Sequence, residues 1–355
     1  MKEAYLPDNQ VLPLLNIVER EFDTFVFTLK GILRYASMSG QDKEKIPQYL
    51  RDSRSPFPAK SFFLPAKEEI AQYGKDCKSA GKTVIVKDKK PFALVNLRNC
   101  DLEALEVLDQ IFLQGDYIDP FYEKRRRSTL IVSVDCSAIT EFCFCTTLGY
   151  QPYAVRAQGI NLSPLPGGFI VGTDTPLGES VLDKMGATGA PAQDEMRREV
   201  DRIRQQVLEQ LRNSNEKFAT PHSYHDILKM NPPSERWNDL FNNCVECAGC
   251  TNVCPSCYCF YMFDQARYPD RGQTFERLRS WDSCLLADYS RMAGIAGMKP
   301  NPRARIRERY ANRFQHKYLH HFDTYKRYGC TGCGRCTQSC MGTTDPREVM
   351  RVLGQ

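Results

Sequence analysis

Short apolar runs bounded by polar residues fill the first half of the chain. Three have the β-branched and aliphatic content of strands: Thr83-Val84-Ile85-Val86, Phe92-Ala93-Leu94-Val95-Asn96-Leu97 and Leu130-Ile131-Val132-Ser133-Val134. After the second run, Asp101 is placed to cap a helix whose apolar positions are Leu102, Leu105, Leu108, Ile111 and Phe112. Gly167-Gly168 ahead of Phe169-Ile170-Val171 reads as a hairpin turn feeding a strand. The pattern predicts a mixed α/β domain over residues 1–190.

The period changes at Pro191. Met196, Val200, Ile203, Val207, Leu208 and Leu211 recur at helical spacing among charged and amide residues, as in a long amphipathic helix running to about Lys217. This helix and the proline-bearing stretch after it predict a helical linker over 191–233. Residues 234–355 show almost no alternation, and their apolar positions are spaced as in short helices. The expected fold class is therefore α+β: a mixed α/β domain followed by an all-helical domain.

Composition changes little in this picture. The hydrophobic share of 42% and charged share of 26% are those of ordinary globular proteins. No apolar run approaches the roughly 20 residues of a membrane span. Met1-Lys2-Glu3-Ala4-Tyr5 lacks the basic stretch and apolar core of a secretory signal, so the expected location is the cytoplasm.

The sixteen cysteines change it more. They come in tight groups, poorly suited to disulfides and well suited to metal ligation in a reducing compartment. Cys244-x2-Cys247-x2-Cys250-x3-Cys254-Pro255 matches the ligand run of bacterial-type [4Fe–4S] proteins, and Cys330-x2-Cys333-x2-Cys336-x3-Cys340 repeats it with Met341 in place of proline. Three thiols at two-residue gaps curl one loop around three corners of a cube, and in two-cluster proteins the fourth serves the other cluster. By that rule one cluster takes Cys244, Cys247, Cys250 and Cys340, and the other takes Cys330, Cys333, Cys336 and Cys254. Structural zinc sites also use Cys-x2-Cys pairs, but as two separated pairs. The second half is thus expected to be an all-helical cluster domain.

Cys100 and Cys136 each follow a predicted strand, where open parallel sheets bind ligands, and Cys143 and Cys145 share the next loop. These four thiols either close a third [4Fe–4S] site or are buried structural cysteines. Cys257, Cys259 and Cys284 remain as further candidate ligands, while Cys77 stands alone and is expected to be inert. All five histidines, His222, His225, His316, His320 and His321, are expected to be structural or surface residues.

The net charge of +5 is mildly basic. A [4Fe–4S]²⁺ core with four thiolates is a dianion, so three such clusters would bring the chain to about −1. Lys124-Arg125-Arg126-Arg127 and Arg303, Arg305, Arg307 and Arg309 then read as solvated faces or subunit contacts, and no nucleic-acid partner is expected. No glycine-rich dinucleotide fingerprint and no phosphate loop occurs, so neither flavin nor nucleotide is expected on this chain.

The cysteine contexts, taken in order, resemble one known family. They are Asn99-Cys100-Asp101, Cys136, Cys143-Phe144-Cys145, the run from Cys244 through Pro255-Ser256-Cys257-Tyr258-Cys259, Trp281-Asp282-Ser283-Cys284, and Cys330-Thr331-Gly332-Cys333-Gly334-Arg335-Cys336. The likeness is to the iron–sulfur beta subunit of cytoplasmic NiFe sulfhydrogenases, and to the iron–sulfur subunits of anaerobic sulfite reductase and of heterodisulfide-reductase-linked flavin oxidoreductases. It extends over nearly the whole chain. The resemblance implies a helical ferredoxin-type dicluster fold for the second half, in a non-catalytic electron-transfer subunit of a multi-subunit oxidoreductase with a third cluster among the upstream thiols. It further implies a partner carrying FAD and a [2Fe–2S] cluster that exchanges electrons with NAD(P)H, and a terminal hydrogenase, sulfite reductase or disulfide reductase subunit. The alternative is a redox enzyme whose extra cluster has an open site that binds substrate. Arg335, and Lys326 and Arg327 before the second run, are candidates to raise a nearby cluster potential if they face it.

Overall fold

The computed structural model describes residues 2–74, 82–83, 90–185, 191–267, 274–294 and 299–355. Cys77, and Val84 to Val86 of the first predicted strand, lie outside them. Eleven described strands run in chain order: β1 (Lys2–Pro7), β2 (Asp23–Phe27), β3 (Ile32–Arg34), β4 (Lys67–Gly74), β5 (Lys82–Thr83), β6 (Phe92–Leu97), β7 (Leu130–Val134), β8 (Ile160–Leu165), β9 (Gly168–Thr173), β10 (Phe260–Ala266) and β11 (Thr274–Trp281).

Seven of them form one sheet in the order β1-β9-β8-β7-β6-β2-β3. Its centre, β8-β7-β6-β2, is parallel; β9 and β3 run antiparallel to it on either side, and β1 pairs antiparallel with β9. Parallel strands are covered on both faces, which is why β6 and β7 read as continuous apolar runs rather than alternating ones. Val95 and Val132 pack beneath Leu14, Leu15 and Val18 of the helix Val11–Glu21. Leu94 and Ile131 pack on the other face with Leu102, Leu105 and Leu108 of the helix Asn99–Phe112. The cap of that helix is Arg98 rather than Asp101, whose carboxylate in the first turn accepts the Arg98 N–H at 3.3 Å. At the end of β6 the register slips between Val95 and Leu97, and Asn96 takes a φ of +73°. This bulge turns the chain toward Cys100.

The long amphipathic helix spans Asp194–Asn215. Besides joining the two halves it acts as a cover: Val200 packs on Leu165 and Ile170, and Val207 and Leu211 pack on Cys145. Arg204 anchors it to the buried Asp135 at 2.7 Å.

Residues 234–355 are not all-helical. β10 and β11 form a hairpin, and β11 pairs with β4 from the first half to give a second, antiparallel sheet, β10-β11-β4-β5. The hairpin lacked a readable alternation because charge, not apolar contact, fastens it. Glu68 on β4 accepts from Arg279 on β11 at 2.9 Å and from Arg125 at 2.6 Å, and Arg279 also pairs with Asp119. Glu68 and Arg279 are both buried. The helices Tyr224–Lys229, Ser234–Phe241, Ile306–Gln315 and Pro346–Leu353 enclose a separate core of Tyr224, Trp237, Tyr310, Phe314, Tyr318 and Met350. Removing one partner from a buried ion pair leaves the other uncompensated. Glu68→Ala should therefore lower unfolding free energy by about 3 kcal/mol, measured as a shift in the urea midpoint of the complex-derived protein.

Candidate metal centre

The two cysteine runs share an unusual backbone. In the first, Glu246 and Ala248 have φ of +54° and +56°; in the second, Gly332 and Gly334 have φ of +65° and +71°. Left-handed residues at alternate positions turn successive N–H groups to one side, a concavity that receives anions. Each loop then enters a short helical turn, Gly249–Asn252 or Arg335–Gln338, and the two turns pack together.

That packing brings Cys340 to the first run. Cys244, Cys247, Cys250 and Cys340 line one cavity with Leu285, Tyr310 and Arg313. Cys330, Cys333 and Cys336 are buried, and Cys254 lies close enough for its charge to push up the thiols of Cys330 and Cys336. For both thiols burial is the larger cause. Several donors aim at these sulfurs: Tyr318 Oη to Cys330 at 3.3 Å, Gly332 N–H to Cys330 at 3.5 Å and Thr344 N–H to Cys340 at 3.2 Å.

The thiols of the first half also converge. β6 and β7 are parallel neighbours, so Cys100 and Cys136, just beyond their carboxyl ends, fall at one edge of the sheet. With Cys143 and Cys145 they line one cavity, which Leu211 of the covering helix and Cys333 also border. Arg98, wholly buried, fixes this edge by donating to the carbonyls of Leu50, Asp52 and Asp135 at 2.9, 2.6 and 2.8 Å. The loop carrying Cys143 and Cys145 lies against the second cysteine run. Phe144 N–H donates to Gly332 O at 2.8 Å, and a Cβ at Gly332 would come within 2.5 Å of Cys145 Cα. Glycine at 332 therefore serves both the positive φ and the close approach.

Electrostatics single out residues that no spacing marks. Arg54, Lys60, Arg313 and Lys317 are buried, and none has a carboxylate ion-pair partner among the described residues. Lys60 Nζ donates to the carbonyls of Thr251 and Cys257 at 2.9 and 3.2 Å, and Lys317 Nζ to Gly329 O at 2.6 Å. Arg54 donates to Cys333 O and Gln338, with Nη2 left unpartnered. Burial works against the charge of Arg313, but the thiols of Cys250, Cys336 and Cys257 and the Tyr318 hydroxyl outweigh it and hold its pKa well above the usual value. Desolvating an ion costs several kcal/mol, so cations placed this way require anions in the cavities beside them. Thiol-bound dianionic clusters fit that requirement.

The cations proposed from the second run behave differently. Arg335 does lie near Cys333 and Cys100, but Asp101 matches its charge at 2.9 Å. Arg327 pairs with Glu103 and Lys326 is exposed, so neither is turned to the thiols as expected. Cys257, Cys259 and Cys284 line a further cavity together with His316 and His321. His321 is buried and His316 half-buried, whereas His225 pairs with Asp323 and His222 and His320 are exposed.

Comparison with known proteins agrees with this chemistry. A family model described as a 4Fe-4S dicluster domain matches residues 243–344. The chain is similar to sulfhydrogenase 2 subunit beta of Pyrococcus furiosus, 27% identical over 303 residues, 84% of this chain and 83% of that protein. It is also similar over 41 residues, at 44% identity, to F420-dependent formate dehydrogenase 1 subunit beta of Methanococcus maripaludis, covering 12% of this chain and 11% of that one. No described helix is long and apolar enough to cross a membrane. The guanidinium of Arg313 should raise the potentials of the centres at Cys250 and Cys336. Arg313→Met should lower them by on the order of 100 mV with iron content unchanged, read by EPR-monitored redox titration.

Proposed function

We propose that this chain, similar to a sulfhydrogenase beta subunit and matched by a 4Fe-4S dicluster domain, is an iron–sulfur subunit of that family and relays single electrons through three [4Fe–4S] centres. The relay connects a partner carrying FAD and a [2Fe–2S] cluster to a terminal hydrogenase-type subunit of a cytoplasmic complex. Cys244, Cys247, Cys250 and Cys340 hold the first centre, Cys330, Cys333, Cys336 and Cys254 the second, and Cys100, Cys136, Cys143 and Cys145 the third. The clusters supply reversible one-electron chemistry; the chain supplies their spacing, their burial and their counter-charge.

Continuity of the thiol series carries this reading. Cys333, assigned to the second centre, borders the cavity of the third. Cys250 of the first and Cys254 of the second are electrostatic neighbours, with Arg313 beside both groups. The first centre reaches the surface: Cys247 is exposed, flanked by Val245 and Met341 at 64% and 79% exposure. An exposed apolar rim beside the outermost thiol suits electron exchange with a docked partner.

The test uses the complex isolated anaerobically from native cells. It should contain a flavin-bearing partner and a NiFe large subunit, with at least about 12 irons on this chain. Cys250→Ser and Cys136→Ala should each remove about four irons. NAD(P)H should reduce the remaining centres only while the flavin-bearing partner is bound. A colourless, zinc-containing chain that dithionite does not bleach would overturn the relay. A sirohaem subunit in place of the NiFe subunit would reassign the terminal partner.

A further inference from the structure

The hairpin β10–β11 closes at its base, where Phe260 pairs with Trp281 and Asp282 N–H donates to Cys259 O at 3.0 Å. Closure sets Cys259 beside Cys284. Cys257 reaches the same place from the loop that leaves the first cysteine run. These three thiols line one cavity with Arg313, Lys317, His316 and His321. Cys257 lies beside Cys254, so this cavity abuts the second centre.

The histidines arrive together because the helix changes pitch. In an α-helix, residues five apart point about 140° away from each other. Here a π turn spans His316–His320, and the His321 N–H donates to His316 O. This wider turn returns His321 to the side of His316. His321 is 3% exposed; its Nδ1 is 2.7 Å from Arg327 O and so carries the proton, while Nε2 is buried with no hydrogen-bond partner. A carbonyl-fixed Nδ1–H with a free Nε2 lone pair is the tautomer of a metal-ligating histidine. His316 is not free in this way, since its Nε2 lies 3.2 Å from Tyr258 Oη.

We propose that Cys257, Cys259, Cys284 and His321 hold a fourth iron–sulfur centre, a [4Fe–4S] cubane with three cysteine ligands and one histidine ligand. The charge of the surroundings favours a dianionic cluster over a zinc cation, because Arg313 and Lys317 both line the cavity. Arg313 also lines both this cavity and that of the first centre, placing one buried cation between the two. The fourth centre would then store or branch charge next to the second. The inference is separable from the three-centre relay, whose thiols are all different.

The experiment takes the same anaerobically isolated complex and counts iron, sulfide and zinc on this chain. The expected result is about 16 irons and no zinc. Cys284→Ala and Cys259→Ser should each lose about four irons while the EPR signals of the other reduced centres persist. Those signals also report that the variant is folded. In the unaltered complex, pulsed EPR should detect a histidine nitrogen coupled to one reduced centre, and His321→Cys should abolish that coupling while keeping the iron. About 12 irons with Cys284→Ala unchanged, one zinc lost with Cys284, or no histidine coupling in the unaltered complex would each overturn the proposal and leave the relay standing.

Discussion

Arg54, Lys60, Arg313 and Lys317 sit in the interior against thiols, carbonyls and rings, with no carboxylate to balance them among the described residues. A protein interior does not tolerate such charges unaided, because the lost hydration far exceeds what carbonyl contacts return. Thiolate-bound clusters supply the missing negative charge. The same coupling acts in reverse: a cation that helps bury a dianion also eases the arrival of another electron. Stability of the cluster housing and tuning of its potentials are therefore one electrostatic problem here, with Arg313 at its centre.

The thiol groups are also tied together mechanically. The loop bearing Cys143 and Cys145 lies on the glycines of the second cysteine run, and β4 of the first half is completed by β11 of the second. The dicluster region is thus not an appendage on an α/β domain. The parallel sheet presents two thiols at one edge, the helix Asp194–Asn215 closes over them, and the hairpin strands hold the remaining cysteines against the helical core. Close, fixed spacing of the thiol groups follows from this interlocking, and one-electron transfer needs such spacing.

Much of this was legible in the chain itself. β6 and β7 carry the bounds read from their apolar runs, because a strand buried on both faces announces itself by composition. The long helix kept its apolar stripe, with Val200, Val207 and Leu211 buried. The hairpin β10–β11 was hidden because β10 is mostly exposed and β11 is fastened by Glu68, Arg279 and Asp119, and ion pairs between distant residues leave no periodic trace. Arg313, Lys317 and Lys60 were hidden for a related reason: a basic residue in a helix reads as solvated until its surroundings are known.

Local spacing by itself determined the metal chemistry: which thiols can wrap a cube depends on a few consecutive residues and on the turns that glycine and its neighbours allow. Tertiary structure alone decided which thiols from different segments share a cavity. It also brought His316 and His321 to one side of a π turn and left buried cations facing sulfur. Those outcomes depend on strand pairing, helix packing and burial across hundreds of residues, and it is burial that turns an ordinary lysine or arginine into a counter-ion.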